Sequence, residues 1–383
     1  MTAKVYFTDM RSRPGMGMLE KLQEIAKAAG LNSISMEKKF VAVKIHFGEP
    51  GNVAFIRPNY AARIVSMLKA NKALPFLTDC NTLYKGRRDN AVSHLDAAAE
   101  NGFTPSTVAC HVVIADGIKG TEQAEIPVHQ KHCKTAKIGS AIASADIIVT
   151  LNHFKGHEMT SFGGALKNIG MGCASVAGKL EMHSTSQPKI TSQNCVGCKV
   201  CVQHCNHGAL SMVPAPADHK FKNVAQIDYA KCVGCGQCVA VCRYDAARVV
   251  WDANGALVDE KIAEYCVAVL KDKPALHFNF VMNVSPECDC WNSNDAAIIP
   301  DLGILASTDP VALDRACIDL VNKAPTLSAS VLGEKQTAAS DDKLNCLHPR
   351  TDWRIILDYA QSIGLGEQNY ELVPVACGGS IIS

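Results

Sequence analysis

The sequence predicts an α/β fold: a largely parallel sheet with helices on both faces, interrupted by a small α+β insert of ferredoxin type that holds two clusters. Three observations predict it. Short apolar strands alternate with amphipathic helical stripes over most of the 383 residues. Two cysteine runs of identical spacing sit between residues 195 and 242. The alternation resumes after them. The expected division is an α/β body over residues 1–187, an insert over 188–251, and the completing part of the body over 252–383.

The elements follow in order. Val5-Tyr-Phe opens as a strand. Met18, Leu22, Ile25, Ala26 and Ala29 share one helical stripe, as do Ile64, Val65 and Leu68. Residues 41–46 (VAVKIH) alternate at period 2. Residues 75–78, 112–115 and 147–150 are short buried-strand candidates. After the insert, Ile262, Cys266, Val269 and Leu270 suggest a helix, and residues 276–282 a strand. Thr308-Asp309-Pro310 places a cap residue before a proline at the first helical position, opening the stripe Leu313, Ala316, Cys317, Leu320 and Val321. Residues 324–345, rich in Ser, Ala, Asp and Lys, read as a surface excursion.

Composition narrows the function. Hydrophobic residues make up 48% and aromatics 6%, so the core is expected to be large and aliphatic. The 38 basic and 37 acidic residues leave a net charge of +1, which makes no electrostatic case for nucleic acid or an anionic membrane as partner. No apolar run nears the roughly 20 residues of a membrane span. The start, MTAKVYFTDM, lacks the zones of a signal peptide, so a cytoplasmic protein is expected. Eighteen cysteines in such a chain then point to metal or redox chemistry rather than disulfides.

Eight of them form the two runs: Cys195, Cys198, Cys201, Cys205 and Cys232, Cys235, Cys238, Cys242. Both are C-x2-C-x2-C-x3-C, the two-cluster ferredoxin spacing, in which the fourth cysteine of each run serves the other cluster. One [4Fe–4S] cluster is therefore expected on Cys195, Cys198, Cys201 and Cys242, the other on Cys232, Cys235, Cys238 and Cys205. The proline that usually follows the fourth cysteine is replaced by Asn206 and Arg243. A pair of zinc knuckles is the competing reading.

Ligands of such sheets bind beyond the carboxyl ends of the strands. That edge carries Lys44 and His46, Asp79 and Asn81, Asp116, Asn152 and His153, then Asn283, Cys288, Cys290 and Asp301. The densest stretch is Leu151 to Cys173, LNHFKGHEMTSFGGALKNIGMGC. As a strand, residues 151–157 point His153, Lys155 and His157 to one side; as a helix, His153 and His157 still share a face. Gly163 and Gly164 then read as a turn opening a helix whose free N–H groups, with Lys167, would hold an anion. A metal on both histidines, or a plain turn with satisfied histidines, are the alternatives. Cys288-Asp-Cys290 can ligate a metal, act as a redox pair, or be two buried thiols. The remaining cysteines have no ligand spacing and read as core fillers.

The stretches VAVKIHFGEPGN (41–52), PFLTDCNTLYKGRR (75–88), VVIADG (112–117), HFKGHEMTSFGGALKNIGMGCAS (153–175), PECDCW (286–291) and PDLGILASTDPVALDRA (300–316), with both cysteine runs, resemble the iron–sulfur centre proteins that carry domain of unknown function 362. The resemblance implies an α/β body interrupted by a two-cluster ferredoxin module, and brings no settled reaction. The first functional expectation is an oxidoreductase that takes electrons from a partner protein through two [4Fe–4S] clusters. His153 or His157 would give the proton, and Lys155, Lys167, Lys44, His46 and Asp79 would surround a small anionic substrate. The alternatives are a non-enzymatic electron carrier or adaptor, and a metal- or cluster-handling protein using Cys288, Cys290 and the histidines.

Overall fold

A computed structural model describes residues 2–84, 86–183, 187–205, 207–232, 237–248, 255–338 and 341–375. Its strands are β1 (Ala3–Asp9), β2 (Phe40–Ile45), β3 (Leu74–Asp79), β4 (Val112–Ile114), the hairpin β5 (Gln123–Pro127) and β6 (Thr135–Gly139), β7 (Ile147–His153), and the small hairpin β8 (Lys155–His157) and β9 (Ser161–Gly163). There follow β10 (Lys189–Ile190), β11 (Leu210–Pro214), β12 (Asn223–Ile227) and β13 (Ala247–Arg248), then β14 (Ala275–Val281), β15 (Gly303–Ser307) and β16 (Tyr370–Pro374). Eight of these form one sheet in the order β16-β1-β15-β14-β7-β2-β3-β4. Its pairings are parallel except for those of β15, which runs antiparallel to both β1 and β14. The predicted α/β class is therefore what the chain adopts.

Helices cover both faces. They are α1 (Met18–Ala28), α2 (Pro58–Ala70), α3 (Ala91–Glu100), α4 (Pro105–Val108), α5 (Ser140–Ala143), α6 (Ala165–Cys173), α7 (Val176–His183), α8 (Val200–Gln203), α9 (Gln237–Val241), α10 (Gly255–Leu270), α11 (Pro310–Lys323), α12 (Val331–Glu334), α13 (Lys343–Leu347) and α14 (Arg354–Ser362). The period-2 pattern sorts the core. Val41, Val43, Ile45, Val149, Leu151 and Phe278 pack with Leu22, Ile25, Ile64, Val65 and Leu68 of α1 and α2. Ala42, Ile148 and Leu305 face the other way, against α6, α10, α11 and α14. The cap before α11 forms as read: Asp309 accepts from the Val311 and Ala312 N–H groups, with Pro310 at the first helical position.

The stretch 324–345 departs from the surface excursion expected of it. Leu332 and Leu344 are fully buried in the core beside Leu347, while Leu327 stays exposed. Polar composition there hid apolar anchors spaced too widely to show a period.

Residues 189–248 repeat one pattern. A strand (β10), a cysteine run with a short helix (α8) and a strand (β11) are followed by a strand (β12), the second run with α9, and a strand (β13). The halves interlock, β10 with β13 and β11 with β12, all antiparallel. Their shared core holds Cys195, Cys201, Cys238, Leu210, Val224 and Ile227, and extends to Leu83, Val176 and Leu180 of the body. Among the described residues, no helix is long and apolar enough to cross a membrane.

Candidate functional site

At the carboxyl ends of β2, β3, β7 and β14, a cavity of about 540 Å³ opens in the body. Its walls include Lys44, His46 and Asp79, then His153, Lys155, His157, Gly164 and Lys167, then Cys288, Cys290 and Trp291. Lys44, His46, Asp79, His153, Lys155, His157, Gly164, Lys167, Cys288 and Cys290 thus meet at one place, whereas Asn81, Asp116, Asn152, Gly163, Asn283 and Asp301 lie off its walls. Strand geometry holds over 151–157, interrupted only at Phe154, so His153, Lys155 and His157 lean the same way.

The cavity floor is a buried charge network. Lys44 on β2 lies 3.0 Å from Asp79 at the end of β3 and 2.5 Å from the Asn168 side-chain oxygen on α6. Arg88 reaches Asp79 at 3.6 Å and Glu49 at 2.7 Å, and donates to the Tyr84 hydroxyl at 2.5 Å. Burial alone would raise the Asp79 carboxyl; Lys44, His94, His46 and Arg88 together hold it well below the usual carboxylate range.

The opposite wall is a turn. The Trp291 N–H donates to the Cys288 carbonyl at 3.1 Å, closing a four-residue bend over Cys288-Asp289-Cys290-Trp291. Asp289 is fully buried and anchors it: one carboxylate oxygen meets His153 Nδ1 at 2.7 Å, the other Lys155 Nζ at 3.3 Å. His153 Nε2 lies 2.8 Å from the Met282 carbonyl, so both of its ring nitrogens are engaged. His153, one of the two histidines expected to give the proton, thus holds the turn.

His157 is built differently. Its Nδ1 accepts the N–H groups of Met159 and Thr160 at 3.1 and 3.2 Å. The ring proton consequently sits on Nε2, and both His157 and Cys288 line the cavity. Burial, followed by Lys167, lowers its pKa, so the ring is neutral. His46 is also held well below the ordinary histidine value, by burial and then Arg88, and its Nδ1 accepts the Gly48 N–H at 3.0 Å.

Cys288 Sγ lies 3.2 Å from Lys167 Nζ. A hydrogen bond with Cys290 depresses its pKa most; burial opposes this, and Lys167, Lys155 and His157 add to it, leaving the thiol well below its usual value. The same hydrogen bond, with burial, pushes Cys290 well above. Burial works against the Lys167 charge, yet Cys288, Cys290 and Glu158 raise its pKa.

Two expected anion contacts are corrected. The N-terminus of α6 is already capped by an anion of the chain itself: Asp314 accepts from the Ala165 and Leu166 N–H groups at 2.7 and 2.9 Å, and from Asn279 at 2.7 Å. A Cβ on Gly164 would stand 2.3 Å from the Asp314 carboxylate, so the glycine exists for that approach. Gly163 instead backs onto the Lys155 side chain. Asn81 is fully buried outside the cavity, where its amide donates to Asp116 and to the Gly117 carbonyl, tying the ends of β3 and β4. Arg88, Tyr84, Asn168, Lys179, His183 and Asp289 were not foreseen. Asp289 lies inside the noticed cysteine pair, and Arg88 ends the stretch PFLTDCNTLYKGRR, so both were within reach of a closer reading. Lys179 and His183 carry no local signal beyond i, i+4 spacing.

In the insert, Cys195, Cys198 and Cys201 of the first run surround a small cavity with Cys242 of the second. Burial and then the neighbouring Cys242, Cys195 and Cys198 push the Cys201 thiol up to about 11. Backbone N–H groups aim at these sulfurs: Ala225 at Cys195 (3.3 Å), Ala246 and Ala247 at Cys242 (3.4 and 3.5 Å). Cys205 matches its counterpart, accepting the Ala209 N–H at 3.3 Å. Gly197 has φ +70, and a Cβ there would meet the Asn223 carbonyl at 2.7 Å. Four thiols lining one hollow, with N–H donors aimed at two of them, are the donor set that a [4Fe–4S] cluster would need. Cys235 lies outside the described residues, as does Cys377. Cys80, Cys110, Cys133, Cys173, Cys266 and Cys317 are buried and Cys346 half-buried.

Fold and site together define an α/β protein with a buried, cation- and thiol-lined cavity and a cysteine-rich insert. The family model described as "Domain of unknown function (DUF362)" matches residues 41–319, and the chain belongs to that family. No curated protein matches the sequence. Among solved structures, the lactate racemase apoprotein from Thermoanaerobacterium thermosaccharolyticum aligns at TM-score 0.41 and 13% identity, over 84% of this chain and 57% of its own. A structural-genomics protein from Thermotoga maritima aligns at TM-score 0.39 and 12% identity, over 80% and 59%. This chain thus spans less than two thirds of either, and likenesses this remote carry nothing about activity.

Proposed function

We propose that the protein is an iron–sulfur oxidoreductase: residues 188–251 form a two-cluster ferredoxin module that delivers electrons to a small anionic substrate in the body cavity. Cys195, Cys198, Cys201 and Cys242 would hold one [4Fe–4S] cluster, and Cys232, Cys235, Cys238 and Cys205 the other. Such clusters, when bound, supply one-electron transfer.

The observation that carries this reading is α7. Its Val176 and Leu180 pack into the insert's core with Cys238, and the helix rests on α9. Its Lys179 and His183, one position round the helix, line the cavity. One helix therefore joins the cysteine-rich unit to the proposed site of reduction. Cys198 is exposed, which suits approach by a redox partner protein.

Within the cavity, His157 holds a proton on Nε2 and is the donor. His153 and Lys155 position the Cys288–Cys290 turn through Asp289. Lys44 is matched by Asp79, whereas Lys167 faces a thiol and Lys179 a carbonyl, Ala174 at 2.5 Å. Lys167 is thus paired with a sulfur whose charge it balances, and Lys179 leaves positive charge for a substrate carboxylate or phosphate. The test uses the anaerobic protein with a reduced viologen dye and a panel of small carboxylate- or phosphate-bearing oxidants. Dye oxidation that depends on one of them, and that is lost in His157→Gln with iron content unchanged, supports the enzyme. Electron transfer to a protein acceptor that is indifferent to His157→Gln, with no small oxidant consumed, supports a carrier instead.

A further inference from the structure

We infer that Cys288 and Cys290 form a reversible dithiol–disulfide couple in the cavity, with Cys288 attacking and Cys290 resolving, whose substrates are small anionic disulfides. This rests on the cavity being the working site, but it needs no particular electron source.

Four features of the geometry carry it. The bend closed by the Trp291 N–H puts the two free thiols at the first and third positions of one turn. Both line the 540 Å³ cavity instead of the packed core. Lys167 Nζ donates to Cys288 Sγ at 3.2 Å, and His157 lines the same cavity wall. Asp289, between the two thiols, turns the other way and is locked by His153 and Lys155, so the pair is held without using its own sulfurs.

Other buried thiols show what an inert cysteine looks like here. Cys266 donates to the Leu166 carbonyl at 3.2 Å, and Cys80 to the Cys173 carbonyl at 3.4 Å. They act as small apolar fillers with a weak donor. Cys288 instead receives a hydrogen bond from a cation, Lys167, in a cavity it shares with the His157 imidazole, the surroundings of a nucleophilic thiolate. Cys290 keeps its proton until it is needed, the division of labour that thiol–disulfide exchange requires.

The step balances within these groups. The Cys288 thiolate attacks one sulfur of the substrate R–S–S–R, forming Cys288–S–S–R and expelling RS⁻. Cys290 then attacks the Cys288 sulfur, passing its proton to the second departing sulfur as RSH. The protein pair is oxidised by two electrons and the substrate disulfide is reduced by two. A dithiol reductant returns two electrons and one proton to restore thiolate and thiol. Lys167 stabilises the thiolate and, once that charge is spent in the mixed disulfide, the departing RS⁻.

The experiment takes the anaerobically purified full-length protein and the probe 5,5′-dithiobis(2-nitrobenzoate), a small anionic aromatic disulfide, followed by non-reducing peptide mapping. The expected result is rapid dye release and a peptide containing residues 288–290 lighter by two hydrogens, restored by dithiothreitol. Cys290→Ser should trap the probe on Cys288 as a stable mixed disulfide. A second measurement on the wild-type chain guards against misfolded variants: the pH profile of Cys288 alkylation by iodoacetamide. Its midpoint should lie well below the roughly 8.5 of a free thiol. Lys167→Met should move that midpoint up and slow alkylation at neutral pH about tenfold or more. An ordinary midpoint, or probe uptake that never yields the 288–290 disulfide, overturns the proposal. Dye-linked reduction in the preceding test can fail while this couple forms, or succeed without it, so the two readings are separable.

Discussion

Asp289 and His157 show how two neighbours of one thiol can be told apart. Asp289 is buried against Lys155 and His153, and Asp289→Asn would leave the lysine without its carboxylate. Breaking such a pair costs about 3–5 kcal/mol, which denaturant unfolding would read. Its carboxyl is held well below the ordinary range by His153 and Lys155 against burial. The stability it contributes is therefore present above the unfolded carboxylate pKa of roughly 3.9 and is lost as pH falls through the lower folded value. His157→Gln should be far milder on stability while raising the pKa of Cys288. The strand-end rule found many of the cavity residues, since Lys44, His46, Asp79 and His153 all sit where strands stop. It could not separate a histidine with both nitrogens tied from one with a nitrogen to offer, because the partners are as distant as Met282 from His153.

The helix α6 illustrates the element scale. A glycine turn before a helix reads as an anion site, and it is one, but the anion is the carboxylate of Asp314 on α11. No local pattern could reveal a cap nearly 150 residues away. Burial pushes the Asp314 carboxyl up to about 6, and does the same at Asp116. Between roughly pH 4 and this value the folded chain keeps a proton that the unfolded chain has lost, so stability falls as pH rises through that window. Asp314→Asn, which does not titrate, should make this decline shallower in thermal melts across the window. Gly164→Ala should destabilise by about 1–3 kcal/mol, because the new methyl would press on the same carboxylate. The strands β2, β3, β7 and β14 were legible from their apolar runs. Strand β15 was not: GILAS is too short to show a period, and β16, half exposed at the sheet edge, has a weak one.

At the scale of the molecule, the chain leaves the body after α7 and returns to it at α10. Replacing residues 188–251 by a short linker should leave a folded, colourless body, since loop length costs little. That body would uncover Leu83, Val176 and Leu180, so it should bind apolar dyes more strongly than the intact protein. The spacing of the cysteine runs was the strongest signal in the sequence, because eight thiols at fixed intervals constrain geometry without any long-range information. What no spacing could reveal is that α7 ties that unit to the cavity. The most direct test of the account is iron and acid-labile sulfide analysis of the anaerobically purified protein, beside its Cys242→Ser variant. Two four-iron clusters predict about eight of each per chain. Cys242→Ser should disturb the cluster on Cys195, Cys198 and Cys201 rather than the one on its own run. Stoichiometric zinc in place of iron, or a protein without sulfide, would contradict the account.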